Sequence, residues 1–137
     1  MVRQSDINLP DVVAEVTAAF NRYEQALVTN DVAVLDDIFR NDPRTVRYGT
    51  LEILYGYEEI AAFRAARSPA GLMRTLSKTV ITTYGRDFAV ASTLFHRTTS
   101  PGKAGRQTQT WVKFLDGWHI VVGHVSVIDE KDVWRPA

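Results

Sequence analysis

Tyr23, Arg47, Arg64 and Arg67 are the positions in this 137-residue sequence whose side-chain types and spacing offer chemistry. Tyr23 lies on the helical stripe of Val16, Phe20 and Leu27, so its phenol points beneath whatever sheet covers that stripe. A buried phenol needs a partner, either a backbone carbonyl in an ordinary core or a reacting group in a site. Ile60, Phe63, Arg64 and Arg67 fall on one helical face, so two guanidiniums extend an apolar row. Either their stems lie on the core with the charge in water, or they rim an anion pocket. An arginine beside a tyrosine hydroxyl favours the phenolate and lowers its pKa, so such a couple can exchange protons near neutral pH.

Other chemistries lack their residues. The sequence has no cysteine, which removes thiolate nucleophiles, disulfides and cysteine zinc sites. His96, His119 and His124 have no ligand spacing, and the last two have opposite parity on one strand, so no metal site is expected. No serine sits in a Gly-x-Ser-x-Gly elbow, no glycine loop suits a phosphate, and no carboxylate pair shares a strand face. Sixteen basic and sixteen acidic side chains cancel, which argues against nucleic acid or an anionic membrane as partner. The absence of a long apolar run or a leader-like start leads to the expectation of a cytoplasmic protein. Of the sixteen cations twelve are Arg, which fits an oxyanion ligand and equally fits a GC-rich genome.

Residues 9 to 28 carry apolar side chains at helical spacing, and Asn8 with Pro10 is expected to cap that helix. Asn30-Asp31 ends it and opens a second helix, Val32 to Phe39, stopped by Asn41-Asp42-Pro43. Thr45 to Gly49 and Ile53 to Gly56 read as a short hairpin, and residues 57 to 67 as a third helix. Four long strands follow, Leu72 to Tyr84, Phe88 to Thr98, Gln107 to Leu115 and Trp118 to Ile128, the last two joined at Asp116-Gly117. The order predicts one α+β domain over residues 1 to 137, with an ordered core of about 8 to 128. A strongly curved antiparallel sheet wrapped around the first helix makes a cone whose open end would hold a ligand. Arg47 alternates with Val46 and Tyr48, so simple parity turns it away from the core if they face inward, whereas a bulge would turn it in. In the last strand Trp118, Ile120, Val122, His124, Ser126 and Ile128 share one face with valines on the other, so both faces are expected to be covered, one by a second copy. Gln107, Gln109 and Trp111 share a face of the neighbouring strand, and either row there could be solvated.

Several runs resemble a known family. Ala14 to Phe20, Arg22-Tyr23-Glu24, Asn30 to Leu35, Thr45-Val46-Arg47-Tyr48-Gly49, Leu54-Tyr55-Gly56, Ala62 to Arg67, Gln107 to Trp111, and Gly117-Trp118 leading to His124-Val125-Ser126 are similar to the small AtzH-like proteins of oxalurate and cyanuric acid catabolism. The combination of the first-helix run with Arg47-Tyr48-Gly49 and Phe63-Arg64 to Arg67 is the specific part. The resemblance implies an NTF2-like (SnoaL-like) cone with three helices, forming a dimer through its sheets. It implies a decarboxylating amidohydrolase that converts 1,3-dicarboxyurea to allophanate with no metal or organic cofactor. It also assigns catalysis to a Tyr on the first helix and an Arg on the first short strand, positions matched by Tyr23 and Arg47.

The expectation is therefore a small anionic urea-derived substrate, with Tyr23 moving a proton to the urea nitrogen or activating water and Arg47 beside it. Arg64, Arg67 and Arg74 would grip carboxylates, with Tyr55, Trp111, His124 and Ser126 completing the substrate-binding lining. The rival is a non-enzymatic ligand-binding module or accessory dimer of the same catabolism, since such folds host both. Isomerase or cyclase chemistry on a larger apolar substrate would want an acidic base in the cone, and no carboxylate is well placed for it.

Overall fold

Helix α1, Pro10–Val28, forms because its buried side chains, Val12, Val16, Phe20, Tyr23, Ala26 and Leu27, return to one stripe every turn. The structure is a computed structural model and describes residues 1–137. Leu9 rather than Asn8 caps α1, with Pro10 in the first turn where its missing N–H costs nothing. Asn8 stands one residue too early to cap. Its Oδ1 accepts from the Thr83 amide at 2.9 Å and its own amide donates to the Thr83 carbonyl at 3.0 Å, pinning the start of the chain to the sheet. Asn30 takes a left-handed turn (φ 52°), and the Asp31 side chain then accepts from the Val34 amide to open α2, Val32–Ile38.

Six strands make one sheet: β1 (Val46–Tyr48), β2 (Ile53–Tyr55), β3 (Thr75–Tyr84), β4 (Phe88–His96), β5 (Lys103–Phe114) and β6 (Gly117–Asp129). Helix α3, Tyr57–Ala66, lies between β2 and β3. The order across the sheet is β2-β1-β6-β5-β4-β3. β3 to β6 form the expected antiparallel meander, whereas β1 joins β6 in parallel, so the sheet is mixed. Two register shifts curve it, between Ser77 and Val80 in β3 and beside Thr110/Trp111 where β6 inserts Val121. The long strands differ from the sequence reading at their ends: β3 starts at Thr75, β4 stops at His96 and β5 begins at Lys103.

Leu35, Ile38, Phe39, Ile60, Ala89, Ala91, Trp111 and Ile120 close over the α1 stripe as one buried cluster. This is the three-helix α+β cone expected from the sequence. No helix is long and apolar enough to cross a membrane.

Candidate active site

Tyr23 is 1% exposed, on the inner face of α1, with its ring edge-on to Phe39 at 6.3 Å. Above it a cavity of about 230 Å³ is lined by Tyr23, Arg47, Arg67, Arg74, Arg97, Gln107 and one acidic residue, Glu52, which the sequence reading did not place there, with Leu27, Leu51, Phe63, Leu72 and Val125 as its apolar walls. Arg64 stands behind Tyr23, itself 1% exposed, its NH2 group 3.5 Å from the phenol oxygen. At that length the hydrogen bond is weak, and the field of the guanidinium matters more than the bond.

Each of the five guanidiniums rests near a phenylalanine ring. Phe63 carries Arg47 at 5.4 Å and Arg67 at 5.7 Å; Phe95 carries Arg74 at 4.5 Å and Arg97 at 4.8 Å; Phe39 carries Arg64 at 5.4 Å. The negative ring faces hold cations that would otherwise repel one another. Two carboxylates supplement them. Glu52 accepts from Arg47 NH1 at 2.9 Å, and Glu24 accepts from both the Nε and NH2 of Arg74, at 2.8 and 2.6 Å. Five cations against two anions leave the cluster three charges positive. Nε and NH1 of Arg64, Nε and NH2 of Arg67, Nε of Arg97 and Nε2 of Gln107 are buried donors without a partner. Buried donors of this kind are costly unless something accepts from them, and an anion is the acceptor that also answers the charge.

Burial alone would raise the pKa of Tyr23, yet the combined fields of Arg64, Arg47 and Arg74, with the contact from Arg64, outweigh it and hold the phenol below its ordinary value. Burial likewise lowers the pKa of Arg64, and it pushes Arg67 down to about 10 with help from the charge of Arg64. Arg97 is lowered by burial and by Arg74. The result is a buried phenol held among cations.

Arg47 lies on β1 facing inward and 5% exposed, with Val46 and Tyr48 on the outer side. No bulge is needed: Val46 and Tyr48 pair with Val122 and His124, which are themselves outside. Its stem passes Gly123, and a side chain at Gly49 would collide with the carboxylate of Glu52 that holds it. Arg64, Arg67 and Arg74 also converge with Tyr23, although Arg74 is committed to Glu24. Four expected lining residues lie elsewhere. Val121 is an extra residue in β6, so Ile120 points in while Val122, His124 and Ser126 point out and Gly123 and Val125 take the inner row. His124 accordingly packs on Tyr48 at 5.6 Å, and Ser126 accepts from Arg106 at 3.1 Å. Tyr55 is on the outer side, its hydroxyl bonded to that of Tyr48. Trp111 is fully buried beneath the cavity in the core, its indole N–H donating to Gln109. Sequence reasoning missed Arg97, Phe95, Glu24 and Glu52. Arg97 was detectable, because it continues the inward row Ala89, Ala91, Thr93, Phe95 of β4 by one more step. Nothing in the sequence pairs Glu24 with Arg74, fifty residues away.

A model of the AtzH-like family matches residues 5–131. The chain is 61% identical to a protein with unknown function from Pectobacterium atrosepticum, over 94% of this chain and 100% of that one, with a TM-score of 0.92. It is 47% identical to a cystatin-like fold protein from Burkholderia xenovorans, over 90% and 96% of the two chains, with a TM-score of 0.86. An NTF2-like superfamily protein from Salmonella enterica matches at 26% identity over 93% and 98%, with a TM-score of 0.68. None of the curated proteins matches.

Proposed function

The chain belongs to the AtzH-like family, and from that premise we propose that it is a decarboxylating amidohydrolase that converts 1,3-dicarboxyurea to allophanate in cyanuric acid catabolism. The observation that carries the proposal is a fully buried phenol of lowered pKa beneath guanidinium donors that lack acceptors. Size supports it too. The cavity of about 230 Å³ is smaller than the roughly 300–1,000 Å³ of pockets for drug-sized ligands, and a urea bearing two carboxylates is a small molecule.

In this reading the substrate enters as a dianion into a chamber with an excess of positive charge. The bond between one urea nitrogen and its carboxyl carbon breaks, and its electron pair passes to the nitrogen and into the adjoining carbonyl. Arg64 and Arg47, whose fields both act on the Tyr23 hydroxyl, stabilise that developing charge. Tyr23 gives its proton to the nitrogen and recovers one from solvent, and the carboxyl group departs as carbon dioxide. A dianion and a proton thus become monoanionic allophanate and a neutral gas. Arg67, with two donors free, engages a substrate carboxylate directly.

The test is release of carbon dioxide and allophanate when the purified, chelator-treated protein meets 1,3-dicarboxyurea generated in place by an upstream amidohydrolase. Turnover well above the spontaneous rate is expected. A rate equal to the spontaneous one would overturn the enzyme reading and favour a non-enzymatic binding or accessory role.

A further inference from the structure

The two rings, Phe63 on α3 and Phe95 on β4, sort the cavity arginines into two groups of one design. On Phe63, Arg47 is held by Glu52 and Arg67 is left free; on Phe95, Arg74 is held by Glu24 and Arg97 is left free. The groups feel different surroundings. Arg67 responds to Arg64, Arg47, Glu52 and Tyr23, and Arg97 to Arg74, Glu24 and Tyr23, so the phenol alone is common to both. Beside the Phe95 group Gln107 is 2% exposed. Its Oε1 accepts from Arg74 at 2.9 Å, which fixes the amide so that Nε2 is the end left without an acceptor.

We propose that Arg97 and the Gln107 amide form a second carboxylate subsite, which binds the end of the substrate that is not cleaved and makes a dicarboxylate obligatory. The proposal rests on the function assigned above and adds to it the residues that choose the substrate. A guanidinium N–H and an amide N–H, both buried, both lacking acceptors and both in the lining of one cavity, supply one donor for each oxygen of a carboxylate. Binding energy from this remote end would be used to position the other end under Tyr23. Monoanionic allophanate, one carboxylate short, would leave one of the two cationic groups unanswered and depart. Gly105 contributes to the arrangement, since a Cβ there would stand 2.2 Å from the Phe95 ring on which Arg97 rests.

The experiment is titration calorimetry with two stable probes, glutarate, which matches 1,3-dicarboxyurea in chain length between its carboxylates, and butyrate, which lacks the second charge. The native protein should bind glutarate at least about tenfold more tightly than butyrate. Arg97→Gln should bring that ratio close to one by weakening glutarate and leaving butyrate unchanged. Gln107→Glu, which retains an acceptor for Arg74 but repels a carboxylate, should do the same. Thermal melts of both variants show whether each is folded, so either one alone suffices. Equal affinity for the two probes in the native protein, no binding of glutarate, or an undiminished ratio in a folded variant overturns the proposal. Failure of the turnover assay leaves these binding results intact, so the two readings fail separately.

Discussion

At the scale of single residues the site is a contest over one proton. Tyr23 is buried, which disfavours the phenolate, and surrounded by guanidiniums, which favour it more, and the second effect wins. Tyr23→Phe removes the acid without changing the shape, so turnover should fall by about 10²- to 10⁴-fold while glutarate binding persists. Unchanged turnover, measured by carbon dioxide release, would take Tyr23 out of the chemistry. Because the protonated phenol is the donor, activity should decline as pH rises through the lowered Tyr23 pKa. Arg64 is the largest of the charges that lower it, so in Arg64→Gln the alkaline limb of the pH profile should move to higher pH. The sign for stability is opposite. Between the lowered folded value and the ordinary value of 10.0 the unfolded chain holds the extra proton, so the Tyr23 contribution to stability grows with rising pH over that window. It should be absent from urea titrations of Tyr23→Phe. Tyr23, Arg64 and Arg67 were legible in the sequence because each breaks an apolar stripe at a helical interval. Glu24, Glu52 and the phenylalanine supports were not, because a partner met through folding leaves no periodic trace.

At the scale of elements, the helices and the succession of strands along the chain follow from periodicity and turn residues, and the parallel pairing of β1 with β6 and the sheet faces do not. Val121 is one additional residue in β6, and it reverses the parity of everything after it. His124 and Ser126 thereby lie outside the cone although alternation from Ile120 places them within. Arg47 shows the converse: it faces inward by plain alternation once Val46 and Tyr48 are seen to pack outside. The pair β4 and β5 is open to a single substitution where Phe95 stands opposite Gly105 and its ring fills the space a Cβ would take. A Cβ at Gly105 would sit 2.2 Å from the ring, too close for either to remain. Gly105→Val should therefore cost about 1–3 kcal/mol in urea denaturation and also abolish the preference for glutarate over butyrate. Lost stability with the preference intact would mean that Phe95 does not position Arg97.

For the molecule as a whole, charge and surface divide its two faces. The formal charge of zero conceals an inner cluster with three positive charges in excess, offset by acidic residues elsewhere on the chain. The outer face of the sheet is of another kind. Registers place Ile53, Tyr48, His124, Thr108, Ser92 and Val80 in one row across all six strands, and Tyr55, Val46, Val122, Thr110, Val90 and Thr82 in the next. Ile53 is 73% exposed, Val80 59%, Tyr55 55% and Val122 42%, so the ends and middle of these rows are apolar and open. A sheet face that alternates apolar and small hydroxyl side chains and lacks a covering layer in its own chain can be covered by a second copy about a two-fold axis. Sedimentation at micromolar concentration should accordingly give twice the 15.4 kDa chain mass. Val122→Lys, which places a charge in the middle of the face and touches nothing in the cavity, should shift the protein to monomer while leaving glutarate affinity unchanged. A native protein that sediments as a monomer would remove the two-fold interface and leave the site, built wholly from one chain, as it stands.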